Sequence, residues 1–118
     1  MATTVEDLAK YALALMNGRV VKTLTTPAVR IRSVHQCPQP GDAAEGEEAG
    51  RVGLTYGLGW GLLTKTKFGQ AFFKEGHGDG AVNYVICFPK RQACMILLTN
   101  SENGNRAFRP LLEGIFGN

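Results

Sequence analysis

Val5, Leu8, Ala12, Leu15 and Met16 recur at steps of three and four, which places them on one face of a helix. A hydroxyl at Thr3 or Thr4 supplies an oxygen for the first free amides, and Glu6 and Asp7 oppose the positive end of the helix dipole. Asn17-Gly18 supplies a stop. The pattern predicts a helix over residues 4–17. From Val20 to Val29 the signal weakens to a short helical turn around Leu24, interrupted by Pro27.

The apolar pattern then vanishes. Pro38, Pro40, Gly41, Gly46 and Gly50 accompany Asp42, Glu45, Glu47 and Glu48, a composition that cannot bury enough surface to offset chain entropy. A flexible loop, a solvated tether, is expected at about residues 33–54. Alternation resumes at Tyr56, and Tyr56 to Leu63 reads as one strand. Its Gly57, Gly59 and Gly61 would leave one face nearly bare, with Tyr56, Leu58, Trp60 and Leu62 on the other. Residues 64–69 form a turn, and Gln70 to Lys74 form the return strand. Val82 to Phe88 and Ala93 to Thr99, rich in branched and aromatic residues, form a further hairpin turning at Pro89-Lys90-Arg91-Gln92. Asn103 or Asn105 caps a last helix carrying Phe108, Leu111, Leu112, Ile115 and Phe116, with Pro110 near its first turns. The fold class is therefore α+β: one domain spanning residues 1–118, with an antiparallel sheet of about four strands flanked by an N-terminal and a C-terminal helix. Both helices are expected on one face.

Composition changes this picture little. Apolar residues make up 44% of 118, enough for a core, and 13 Lys+Arg against 10 Asp+Glu leave a small positive balance. The basic residues are scattered without a stripe interleaved with aromatics, so no nucleic-acid partner is expected. No apolar run has the length of a membrane span, so no membrane partner is expected. Cys37, Cys87 and Cys94 show no Cys-x-x-Cys spacing. Cys87 and Cys94 would sit opposite each other in the second hairpin; two small buried thiols are expected there, with a cross-strand disulfide as the alternative. His77, Asp79, His35 and Cys37 fit no structural zinc spacing, so neither metal nor cofactor is expected. Thr64-Lys65-Thr66-Lys67 has Thr-x-x-Lys spacing but reads as a strand turn. Trp60 reads as core.

Several marks fall in a fixed order: Thr3-Thr4-Val5-Glu6-Asp7-Leu8-Ala9, Tyr56-Gly57-Leu58-Gly59-Trp60, His77-Gly78-Asp79, and the hairpin from Phe88-Pro89 to Leu98-Thr99-Asn100, closed by a helix. In that order they resemble the C-terminal portion of the penicillin-recognising serine hydrolases, which include class C β-lactamases, penicillin-binding peptidases and related esterases. The resemblance covers nearly the whole chain. It implies a partial β-lactamase-like fold and acyl transfer by a serine, with an oxyanion hole for the developing charge. It places the pocket at His77, Gly78, Asp79 and Gly80. Gly80 would donate an oxyanion-hole amide, and His77 would face the substrate carboxylate or the catalytic hydroxyl. Two departures stand out. Asp79 replaces the glycine the family prefers, and the Ser-x-x-Lys and Tyr-x-Asn or Ser-x-Asn elements are absent, so no catalytic set is complete.

The expectation is a truncated hydrolase sub-domain that is not competent alone. The alternative is a non-catalytic binding or interaction module on the same fold. A third reading has a complementing chain supply the nucleophile. An exposed sheet edge leads to the further expectation of a homo-oligomer. Location would be cytoplasmic for a complete chain, and periplasmic or secreted for part of a larger precursor.

Overall fold

A computed structural model describes residues 3–30 and 49–117. Helix α1 (Val5–Asn17) begins where the sequence places it, with Thr4 Oγ1 accepting the Asp7 amide at 3.2 Å. A single turn, α2 (Val21–Leu24), follows, and then the short strand β1 (Val29–Arg30). Residues 49–52 are helical and Leu54 already lies in a strand, so the expected loop stops short of its predicted end. Its remainder, residues 33–48, lies outside the described residues.

Strands β2 (Leu54–Tyr56), β3 (Gly61–Leu63), β4 (Ala71–Gly78), β5 (Ala81–Phe88) and β6 (Ala93–Leu98) complete an antiparallel meander in the order β1-β2-β3-β4-β5-β6. Among the described residues the sheet thus has six strands, against about four expected. The main reason is the Tyr-Gly-Leu-Gly-Trp segment, which is a hairpin turn between two strands and not one strand. Tyr56 pairs with Gly61, the Gly57 amide donates to the Trp60 carbonyl at 2.9 Å, and Gly59 takes a φ of 76° that side chains resist. Leu58 and Trp60 therefore do not share a face: Leu58 projects into solvent at the turn and Trp60 enters the core.

The two long helices lie on opposite faces of the sheet, which corrects the expectation of a shared face. Alternation along the strands explains why both faces are apolar. Val85 and Cys87 join Leu62, Phe72 and Trp60 beneath Ala12 and Met16 of α1. Ile86 and Phe88 join Phe68, Met95 and Phe116 of helix α3 (Gly104–Phe116) on the other side. Phe72, Phe88, Leu62 and Ile86 are fully buried, each contributing about 1.5–3 kcal/mol. Pro110 lies in the middle of α3, deeper than its expected place, and brings no amide to the Arg106 carbonyl. Arg91, in the turn Pro89–Arg91, donates to the carbonyls of Phe68 and Phe116 at 3.0 and 3.1 Å. A cation thus meets the carbonyl end of α3, where the helix dipole favours it.

Cys87 and Cys94 are opposite each other as expected, but they are joined in a disulfide, which overturns the expectation of two free thiols. Met16 Sδ lies 3.6 Å from Cys94 Sγ. This is a packing contact, since the bonded sulfur has no proton to donate. Among the described residues no helix is long and apolar enough to cross a membrane.

Candidate functional site

Strand β4 runs on through Gly78, so Gly76-His77-Gly78 belongs to the sheet and only Asp79-Gly80 turns. Gly78 pairs with Ala81 across this two-residue turn, and Gly80 has a φ of 74°, a conformation that an L side chain rarely adopts. Asp-Gly is a strong local signal for such a hairpin. The four residues singled out in the sequence therefore meet at one exposed hairpin tip.

Period-two geometry decides what surrounds His77. Glu75 and His77 share the α3 face of β4, and pairing of Glu75 with Tyr84 brings the phenol diagonally beside the imidazole. Tyr84 Oη lies 3.5 Å from His77 Nε2, at the outer limit of a hydrogen bond, and Glu75 Oε2 lies 3.9 Å from the same nitrogen. Both side chains are more than half exposed, so this contact is an ion pair only when the imidazole is protonated, and water screens it. Tyr84 stacks on Phe108 of α3 with ring centroids 4.3 Å apart. Burial, and secondarily the Glu75 charge, push its phenol above its ordinary pKa.

The other face of the same strand end is bare. No atom lies within 4 Å of where a Cβ would stand on Gly76 or Gly78. Beside them is a shallow open hollow of about 200 Å³, lined in part by Leu8, Lys74, Gly76, Asn83, Val85 and Leu98. His77 and this hollow thus lie on opposite faces of β4. Among the described residues, the Gly80 amide makes no backbone hydrogen bond. Thr64 to Lys67 lie in the connection between β3 and β4, with Thr66 Oγ1 accepting the Phe68 amide, so their Thr-x-x-Lys spacing has no helical geometry.

Glu75, Tyr84 and Phe108 are the site neighbours the sequence reading missed. Carrying β4 four residues further, on the strength of the Asp-Gly turn, would have found the first two. Among the described residues no group of three or more His, Cys, Asp or Glu could hold a metal ion. His35 and Cys37 lie outside the described residues.

No curated protein and no solved structure matches the chain. The beta-lactamase family model, however, matches residues 1–116. With helix, glycine-tryptophan turn, histidine-glycine hairpin and closing helix all within that span, the chain belongs to the beta-lactamase family.

Proposed function

We propose that these residues supply the oxyanion-strand side of a beta-lactamase-type acyl-transfer site and carry no nucleophile of their own. The observation behind this reading is the β4–β5 hairpin, which holds the Gly80 amide outside the backbone ladder beside His77, in a sequence without Ser-x-x-Lys. A serine and a lysine three apart on a helix share a face, so the hydroxyl has its base within reach. Neither Ser33 nor Ser101 has a lysine three residues on. A chain bearing the Ser-x-x-Lys region would complete the site.

Intact mass after incubation with a penicillin and, separately, with a fluorophosphonate tests this. No adduct is expected. A stoichiometric adduct would overturn the proposal, and mapping it would name the nucleophile.

Asp79 favours a second reading, a non-catalytic binding module. Its carboxylate precedes the Gly80 amide at the exposed tip, where it opposes any developing oxyanion. Co-expression with a chain carrying the family's Ser-x-x-Lys region separates the two. Restored hydrolysis that rises further in Asp79→Gly supports the catalytic reading. Continued inactivity of both pairs supports the module.

A further inference from the structure

The α3 face of the sheet holds a cavity of about 350 Å³ at the end of β4 away from His77. Leu63, Phe68, Ile86, Phe88, Phe108 and Leu112 form its apolar walls. They come from β3, the β3–β4 connection, β5 and α3, and all belong to the apolar cluster on that face. Phe68, Ile86 and Phe88 are buried, whereas Leu63, Phe108 and Leu112 are only half-buried. The cluster is thus incomplete in the gap between α3 and the β3–β4 connection.

The polar side chains around this gap are not balanced. Thr66 is already engaged, its hydroxyl accepting the Phe68 amide at 3.1 Å and donating to the Gly69 carbonyl at 2.5 Å. Glu113 lies 3.4 Å from Arg109 Nε and 4.0 Å from Lys67 Nζ, so Arg109 is its nearer cation. Lys67 stands at the outer limit of that ion pair, with Nζ 4.9 Å from the centre of the Phe68 ring. Lys65, also at the cavity, has no ion pair among the described residues. Two lysines therefore border an apolar cavity with one distant carboxylate between them.

The turn that carries these lysines is pinned. The Thr64 amide donates to the Gly53 carbonyl at 3.1 Å, the Lys65 amide to the Val52 carbonyl at 2.9 Å, and the Gly69 amide to the Thr66 carbonyl at 3.1 Å. Thr64-Lys65-Thr66-Lys67 thus starts both cations from a fixed backbone, which lowers the ordering cost of binding an anion.

An occupant has to satisfy both halves of this site. Its inner part must be apolar, because the six wall side chains offer no polar partner. Three phenylalanine rings favour a flat aromatic body, which packs against ring faces and edges. The volume leaves room for roughly a dozen non-hydrogen atoms at the density of a liquid. Its outer end must be anionic, since a cation would meet two lysines. We propose that this cavity binds a small aromatic carboxylate, with a body the size of two fused rings inside and the carboxylate at Lys65 and Lys67. The site is separate from the Gly80 hairpin tip, and it stands or falls independently of acyl transfer there.

Calorimetric titration and amide NMR of the 118-residue chain with β-naphthoate test this. Binding is expected with a dissociation constant below about 1 mM, and with amide shifts centred on Phe68, Phe108 and Leu112. β-Naphthylmethanol keeps the rings and lacks the charge, and should bind at least about fivefold more weakly. The double variant Lys65→Gln, Lys67→Gln, changed at two exposed positions, should weaken the acid about fivefold and leave the alcohol unchanged. Salt at about 1 M should act on the parent in the same way, and takes the place of the variant if that does not fold. No saturation by about 5 mM would overturn the proposal. So would an acid that binds no tighter than the alcohol, or one whose affinity survives both the folded variant and salt. Shifts centred instead on the α1 face of the sheet would overturn it as well.

Discussion

The Trp60 indole meets the Phe72 ring edge-on, with centroids 5.1 Å apart and planes at 89°, and lies 6.4 Å from the Tyr11 ring on its helix side. One side chain therefore ties the β2–β3 turn to both α1 and β4, and it is only 8% exposed. Trp60→Ala should cost about 3–5 kcal/mol, a large share of the ~5–15 kcal/mol that holds a domain of this kind together. The denaturation midpoint in urea should fall accordingly, with Trp60→Phe recovering part of the loss. An unchanged midpoint would show that the indole is not core.

The same residue marks where sequence reasoning succeeded and where it stopped. Helical periodicity identified α1 and α3, and runs of branched and aromatic residues identified β5 and β6. Tyr56 to Leu63 misled because alternating glycines mimic a strand of period two. What they do is local: Gly59 adopts a positive φ, and Gly57 passes so close to the Leu24 and Thr26 carbonyls that no Cβ fits. The placing of α1 and α3 on opposite faces was hidden for another reason. Val85-Ile86-Cys87-Phe88 is apolar at every position, which signals burial on both faces of a strand and leaves the side taken by each helix unspecified. At the site, His77 and Gly80 were legible as motif residues. Glu75 and Tyr84 were not, because they reach His77 only through strand register.

The Cys87–Cys94 bond closes a short segment across the 3₁₀ turn, with a sequence separation of 7. The chain-entropy argument assigns a loop of that size about 2 kcal/mol. Reduction, or replacement of both residues by Ala, should lower stability by about that amount, and the packing lost around Met16 adds to it. Thiol titration in denaturant without reductant checks the premise. Only Cys37 of the three cysteines should react, and three reactive thiols would refute the bond.

Two glycines predict opposite outcomes. A Cβ on Gly61 would run into the ring of Phe73, its partner across β3 and β4, whereas one on Gly76 meets nothing within 4 Å. Gly61→Ala should therefore destabilise by about 1–3 kcal/mol through overpacking. Gly76→Ala should stay within about 0.5 kcal/mol of the parent. Paired urea unfolding curves decide this, and equal midpoints would mean that the Phe73 ring yields freely.

Tyr84 makes stability depend on alkaline pH. Its burial against Phe108, and then the Glu75 charge, disfavour the phenolate, so the folded-state pKa lies above the ordinary value of about 10. Below the ordinary value both folded and unfolded chains hold the proton, and the contribution to stability is fully present. As pH rises further the unfolded chain ionises first, so stability declines until the folded phenol ionises as well. Tyr84→Phe keeps an aromatic ring to stack on Phe108 and removes the ionisation, so its stability should fall less steeply over that range. Glu75→Gln should move the Tyr84 titration back toward the ordinary value without reaching it, because burial is the larger cause. Phenolate absorbance of the parent and both variants measures this directly. A Tyr84 titration that Glu75→Gln leaves in place would remove Glu75 from the account, and one already at the ordinary value in the parent would remove burial too.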